Sequence, residues 1–435
     1  MRDKYYQNSL DFARKLDEED PLREFRNKFY IPKVNGKEAI YFCGNSLGLQ
    51  PLTVKEKIEQ ELKDWAELGV DAHENALSPW LTYHRGVTKE TAKIVGAKPL
   101  EVVMMNSLTV NLHLMLTSFY RPTNKRYKIL TEAGAFSSDQ YAIESQVRLH
   151  GIDTKKAIIE VKPRKGEYTI RTEDVVESIN QNKKELALVL FGGINYYTGQ
   201  AFDLEVITKA AHKAGAKAGF DLAHAAGNVL LKLHNWEVDF AVWCTYKYLN
   251  AGPGGVGGLF VHEKYADKNL PRMAGWWGHN EQDRFMMKKG FKAMPGAEGW
   301  QLSNAPILSM AAYKASAQLF VQAGMAKLVK KSQMLTGFME YLITTECKLP
   351  SAFSSEDDFY TIRIITPKEE RERGCQLSIL VKKNGKKLFN RLIKENFVVD
   401  WRSPEVIRVA PVPLYNTFEE VYKFSVALTD VCCHE

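Results

Sequence analysis

Apolar residues recur at Val54, Ile58, Leu62, Trp65 and Leu68, a spacing that predicts an amphipathic helix over Leu52–Leu68. Beyond it, short apolar runs alternate with helix-like stretches. Val102–Met105, Tyr127–Leu130, Leu186–Phe191, Lys217–Asp221 and Phe240–Tyr246 have the length and character of strands. Helices are predicted from about Ser107, over Ser138–His150 and over Leu204–Ala214. Apolar runs without polar alternation, separated by helices, indicate an α/β domain with a mainly parallel sheet flanked by helices. After Ala305 the pattern changes. Ala305–Cys347 predicts two long helices broken at Gly324. Phe359–Ile365, Gln376–Val381, Phe397–Trp401 and Val406–Val409 follow as strands, with helices near Lys386–Lys394 and Thr417–Asp430. The organisation expected is an N-terminal segment (1–50) joining the small domain, a large domain (51–320) and a smaller α+β C-terminal domain (321–435).

Composition narrows the class. The 435 residues are 45% hydrophobic and 26% charged, as in ordinary globular proteins, and long enough for two or three domains at roughly 150 residues each. The net charge of +7 is spread thinly, with no run of like charges to suggest a nucleic-acid partner. Six irregularly spaced cysteines without a Cys-x-x-Cys pair favour a reduced, cytoplasmic protein. Cys432, Cys433 and His434 fit a frayed helix end better than a metal site, so no metal is expected. The first twenty residues lack the apolar core of a signal peptide. The uncharged run Val102–Tyr120 carries seven polar side chains, too many for a membrane span.

Two motifs are tested and set aside. Gly252-Pro-Gly254-Gly255-Val-Gly257 has dinucleotide-fingerprint spacing, but an apolar strand, Val256–Val261, follows where that motif needs a helix. Gly44-Asn45-Ser46-Leu47-Gly48 matches a nucleophile elbow, yet Leu49-Gln50-Pro51 stands where its helix should begin. An acyl hydrolase using Ser46 and His279 is the rival this leaves.

The informative constellation lies at strand ends. Asp221 closes one apolar run, with His224 three residues on, and the next run delivers Lys247. An unpaired lysine is costly in such a place unless chemistry uses it. Carboxylate and lysine converge on the carboxyl edge of a parallel sheet, where open α/β folds bind ligands. Pyridoxal 5'-phosphate (PLP) needs this pair: a lysine for the Schiff base and an acid against the pyridine nitrogen. Its phosphate wants free N–H groups, and Asn106-Ser107-Leu108-Thr109 sits at a strand-to-helix turn. Phe136 and Asp139 occupy the next such turn, where an aromatic could stack on the ring.

Longer blocks carry a resemblance. Tyr41-Phe-Cys-Gly-Asn-Ser-Leu-Gly-Leu-Gln50, Asn106-Ser-Leu-Thr-Val-Asn-Leu-His113, Tyr197-Thr-Gly-Gln200, Phe220-Asp-Leu-Ala-His224, Tyr246-Lys-Tyr-Leu-Asn-Ala-Gly252 and Arg408-Val-Ala-Pro-Val-Pro-Leu-Tyr-Asn416 look like the kynureninases. These are fold-type-I PLP hydrolases, and the likeness runs over nearly the whole chain. It implies Lys247 as the Schiff-base lysine, Asp221 on the pyridine nitrogen with His224 nearby, and Leu108 and Thr109 on the phosphate. It implies Phe136 stacked on the ring, Asp139 at its edge, and Tyr246 reaching the phosphate and aiding proton transfer. Trp276 and Asn304 resemble positions supplied across the interface of a homodimer with shared active sites. Arg408 would clamp the substrate α-carboxylate, a task suited to guanidinium. His73, Ser303 and Asn304 match a pocket that reads the substrate's aromatic ring and 3-hydroxyl. Two departures stand out: Gly192 where many relatives carry serine, and Ser137 where a proline is common.

The activity implied is hydrolysis of the Cβ–Cγ bond of L-kynurenine or 3-hydroxy-L-kynurenine, the latter preferred, giving anthranilate or 3-hydroxyanthranilate and L-alanine. That places the chain in tryptophan catabolism and pyridine-nucleotide supply. The alternative within the cofactor class is an aminotransferase or cysteine desulfurase. No nucleic-acid or membrane partner is expected.

Overall fold

The apolar runs of the first two thirds of the chain pair into one seven-stranded sheet in the computed structural model, which describes residues 5–346 and 362–432. Helix α1 (Leu10–Glu19) opens on Ser9, whose hydroxyl accepts the Phe12 N–H, and α2 (Val54–Leu68) follows. The chain then runs β1 (Val102–Met104), α3 (Leu108–Phe119), β2 (Lys128–Glu132), α4 (Ser137–Leu149), β3 (Ile158–Val161), α5 (Thr172–Gln181), β4 (Leu186–Gly192), α6 (Leu204–Lys213), β5 (Lys217–Asp221), β6 (Phe240–Trp243) and β7 (Gly258–Val261). The spatial order is β1-β7-β6-β5-β4-β2-β3. The pairs among β2 to β6 are parallel, and β7 lies antiparallel between β1 and β6. Helices cover both faces, so the central strands are apolar throughout rather than alternating.

The last third builds a second layer. Helix α7 (Ile307–Ala323) ends at Gly324, where φ of +80° breaks the helix before α8 (Met325–Glu346). Strands β8 (Ile362–Ile364) and β9 (Leu377–Val381), helix α9 (Gly385–Lys394), strands β10 (Asp400–Arg402) and β11 (Val406–Val409), and helix α10 (Phe418–Cys432) follow. Their sheet is antiparallel in the order β8-β9-β11-β10. Two cores result. Met310 to Leu328 pack with the large sheet, whereas Leu335 to Ile343 pack with the small one, so the changeover falls inside α8. The N-terminal segment is divided: Ala13, Leu16 and Phe42 pack in the small sheet's core, Leu22, Phe29 and Leu49 in the large sheet's, and Ile40–Tyr41 pairs in parallel with Phe397–Val398. The Asp17 carboxylate accepts the Phe418 and Glu419 N–H groups at 2.7 and 2.9 Å, capping α10.

Two differences from the sequence reading matter, and one expectation holds. The strand predicted to run to Tyr246 stops at Trp243; Thr245 turns away and donates its hydroxyl to the Val256 carbonyl at 2.6 Å. Lys247 therefore sits on a loop just beyond the strand. Strand β3 and helix α5 were not predicted; β3 is an edge strand whose Ile-Ile-Glu-Val run is short and only partly buried. No helix begins at Ser46: the next one starts at Val54, so the elbow geometry is absent. The Gly44–Gly48 turn instead braces the lysine loop, with the Gly48 N–H donating to the Tyr246 carbonyl at 2.8 Å. A Cβ at Gly48 would collide with the Lys247 carbonyl. Residues 359–361 of the predicted strand Phe359–Ile365, and Cys347, Cys433 and His434, lie outside the described residues, as do the side chains of Val431 and Cys432.

Candidate active site

The carboxyl ends of β2, β4 and β5 point to one edge of the large sheet, where the starts of α3 and α4 also arrive. Leu108, Thr109, Phe136, Asp139, Asp221, His224, Tyr246 and Lys247 all line a single cavity there. The two helix starts are tied together, since Thr109 Oγ1 lies 2.9 Å from Ser138 Oγ. No side chain caps α3, so its first N–H groups are free to bind an anion. Asn106 enters the turn at φ of +50°. Gly257 packs against it so closely that a Cβ would stand 2.9 Å from Ser107 C and 3.0 Å from Leu108 N. The glycine cluster thus serves the anion cup without being a dinucleotide motif.

Opposite the cup, Lys247 Nζ is 3.1 Å from His224 Nε2 and 5.8 Å from the centre of the Phe136 ring. Burial, with Lys247 next, pushes His224 well below the usual imidazole range, so the ring is neutral. Asp221 Oδ1 accepts the Ala223 N–H at 2.7 Å; burial raises its pKa, opposed by that hydrogen bond and by Lys247. Asp139 is pushed far up, first by burial and then by the facing Asp221 carboxylate. Burial also lifts the Tyr246 phenol.

These features fit PLP. Three buried carboxyl groups, counting Glu132, face one lysine, a surplus that a cationic ring N–H would relieve. Among the described residues, Asp139 Oδ1 and His224 Nδ1 are buried without a hydrogen-bond partner. An uncapped helix start lines the same cavity and suits a phosphate.

The remaining expected residues do not line this cavity. Arg408, on β11, is fully buried, with Nε and Nη2 donating to Asp400 Oδ2 and Nη1 donating to the Tyr196 carbonyl at 2.6 Å. Its guanidinium carbon lies 5.9 Å from the Tyr196 ring, which does line the cavity. Trp276 is half-exposed and donates to the Arg284 carbonyl at 3.1 Å. Ser303 and Asn304 are exposed and bond to each other. His73 holds the Val70 carbonyl at 3.0 Å and meets Trp80 edge-on.

Glu132, Ser138, Gly192, Ile194, Tyr196 and Ala223 also line the cavity and were not predicted as site residues. Glu132 had a readable signal: like Asp221, it is an acid closing an apolar strand. Tyr196 had none, since only the fold brings its loop to the cavity.

Comparison with known proteins gives the family and the fold. The class-V aminotransferase family matches residues 40–348 and the kynureninase C-terminal domain family matches residues 328–428. Kynureninase of Myxococcus xanthus is 55% identical over 421 residues, covering 96% of each chain. Kynureninase of Mus musculus is 48% identical, covering 96% of this chain and 92% of its own. Among solved structures, a cysteine desulfurase from Thermococcus onnurineus superposes with a TM-score of 0.74 over 91% of this chain and 95% of its own. At 18% identity that likeness speaks for the fold alone.

Proposed function

The chain belongs to the kynureninase family, and we propose that it hydrolyses the Cβ–Cγ bond of 3-hydroxy-L-kynurenine in preference to L-kynurenine, releasing 3-hydroxyanthranilate or anthranilate and L-alanine. It is a PLP-dependent hydrolase acting on carbon–carbon bonds. The observation that carries the site assignment is the convergence of eight expected residues on one cavity, with Lys247 against His224.

The cofactor, when bound, supplies the aldehyde that captures the substrate amine and the ring that draws electrons from Cα. This chain's residues do the rest. Lys247 is the residue that would bind the cofactor's aldehyde, and its amine would move the α-proton. Asp221 would accept the ring N–H, a cation that favours its carboxylate. The α3 start holds the phosphate through Leu108 and Thr109. Phe136 would stack on the ring, with Asp139 near its edge, and His224 keeps Lys247 in place. Tyr246 presents a phenol that stays protonated and can give a proton. Arg408 clamps the α-carboxylate with Nη1, while Asp400 fixes its fork.

Trp276 and Asn304 are read as reaching the pocket across the interface of a homodimer, and His73, Ser303 and Asn304 as the groups that read the substrate's ring and hydroxyl. A polar pair such as His73 and Asn304 rewards a substrate hydroxyl and is left unpaired without it. We place the reaction in the cytoplasm, in tryptophan breakdown leading towards pyridine nucleotides. No described helix is long and apolar enough to cross a membrane. A desulfurase needs an activated thiol. Among the cysteines whose side chains are described, burial instead pushes Cys43 and Cys375 up to about 12, and Cys244 up as well.

The test is direct. Purified protein should carry a near-visible cofactor band, and Lys247→Ala should lose both band and turnover; full activity in that variant overturns the assignment. The ratio of kcat/KM values for the two substrates decides the hydroxyl preference, and sedimentation decides the dimer.

A further inference from the structure

Glu132 is the one cavity-lining carboxylate left without a role. It closes β2, is almost completely buried, and stands beside Asp221 and Asp139. Its Oε2 accepts the Gly192 N–H at 2.8 Å, bridging the ends of β2 and β4. The Asn195 amide also acts on it, favouring its ionised form, while Nδ2 donates to the Gly134 carbonyl at 3.4 Å. Gly192 leaves it room, since a Cβ there would lie 3.0 Å from Glu132 Oε1.

Asn195 organises the turn that follows. Its Oδ1 accepts the N–H groups of Tyr197 and Thr198, each at 3.0 Å, and the Thr198 hydroxyl at 3.2 Å. With Oδ1 committed, only its amide nitrogen is left to face Glu132. Tyr196 sits inside this turn. Its ring meets Phe136 edge-on, with centres 5.3 Å apart. Its carbonyl accepts Arg408 Nη1 at 2.6 Å and Gln376 Nε2 at 3.1 Å.

We propose that Glu132 is a positioning residue whose carboxylate locks the Gly192–Thr198 turn and, through Tyr196, sets the place of Arg408 for the substrate α-carboxylate. The inference rests on the reading of Arg408 given above. The physical argument is that a turn carries its own backbone donors. Glu132 fastens the strand-end donor and draws the amide of the turn's organising side chain, which the Gly134 carbonyl also holds. Removing it leaves the Gly192 N–H unpaired and the Asn195 amide with the Gly134 carbonyl alone, and the turn shifts to resatisfy them. Arg408 then loses its registered acceptor.

The experiment uses the holoenzyme of three variants: Glu132→Ala, Asn195→Ala and both together. Each single variant should raise KM about tenfold, with kcat falling less than threefold. The dissociation constant of L-alanine, followed by its perturbation of the cofactor band, should rise by the same factor. The band's position and its pH midpoint should not move. The double variant should match the singles, because both residues act along one path. Unaltered KM and alanine affinity overturn the proposal. So does additivity, or a displaced pH midpoint without a change in KM, which would make Glu132 an electrostatic partner of the cofactor. Should the alanine variant fail to fold, Glu132→Gln keeps one acceptor for Gly192 and opposes an amide to Asn195. It should raise KM about threefold, and a folded Gln variant with unaltered KM overturns the proposal. Failure of the underlying reading would differ: the unsubstituted protein would show no cofactor band or no kynurenine cleavage.

Discussion

Lys247 Nζ and His224 Nε2 stand 3.1 Å apart inside a buried site, and the imidazole is held neutral there by burial and by the positive charge of Lys247 and Arg408. A neutral Nε2 accepts from the lysine, so the pair forms one hydrogen bond rather than two repelling cations. Replacing His224 with Gln should weaken cofactor affinity about tenfold, a loss of about 1.4 kcal/mol, measured by absorbance titration of the apoprotein. The sign of its pH effect follows. Below about pH 6.5 the unfolded chain takes up a proton that the buried ring refuses, so stability is lost as pH falls. His224→Gln should flatten that acid-side loss. An unchanged slope would show that the ring is not held neutral.

Gly257 makes a second prediction. A methyl group there must displace the backbone of Ser107 and Leu108, because neither contact is the end of a flexible side chain. Gly257→Ala should cost about 1–3 kcal/mol of stability by overpacking. It should also raise the dissociation constant of pyridoxal phosphate more than that of pyridoxal, because the disturbed N–H groups serve the phosphate. Equal losses for the two ligands would place the phosphate elsewhere.

What could be read beforehand follows from where the signals lie. Asp221 and His224 were legible because a carboxylate closing a fully apolar strand has no structural reason to be there. Phe136 and Asp139 were legible because strand-to-helix turns recur at the same sheet edge. Glu132 was missed because the strand was ended at Leu130, two residues short of it. Tyr196 and Asp400 were missed for a different reason. Their roles depend on the antiparallel sheet bringing β10 and β11 against the Gly192–Thr198 turn, and no local pattern encodes that. The order of the large sheet, with β7 running backwards beside β1, is likewise a product of packing.

Arg408 yields a third prediction. Three of its N–H groups are committed to Asp400 and the Tyr196 carbonyl, which leaves one on each Nη for the substrate, and a lysine cannot reproduce that planar set. Arg408→Lys should raise KM between ten- and a hundredfold, the range expected for losing a charged hydrogen bond of about 1.5–3 kcal/mol, while the cofactor band stays. Asp400→Asn keeps one acceptor but drops the charge, and should raise KM less. A KM unchanged in both would remove Arg408 from substrate binding.

The buried acids set the pH response of the apoprotein. Burial lifts Glu132 from an ordinary 4.5 to about 7, and Asp139 and Asp221 are raised as well. Between pH 4.5 and 7 the folded chain therefore keeps a proton on Glu132 that the unfolded chain has released. Stability falls as pH rises through that window and levels off above it. Glu132→Gln carries no titrating group, so its stability relative to the parent should climb across the same window. The gain can reach about 3 kcal/mol, taking about 1.4 kcal/mol per pKa unit. Lys247 opposes part of the effect by favouring ionised carboxylates, and Asp139 and Asp221 leave a residual slope in the variant. Urea midpoints of the cofactor-free proteins at pH 5 and pH 8 measure it. A difference between variant and parent that is the same at both values would mean that Glu132 ionises in the folded chain as readily as in the unfolded one.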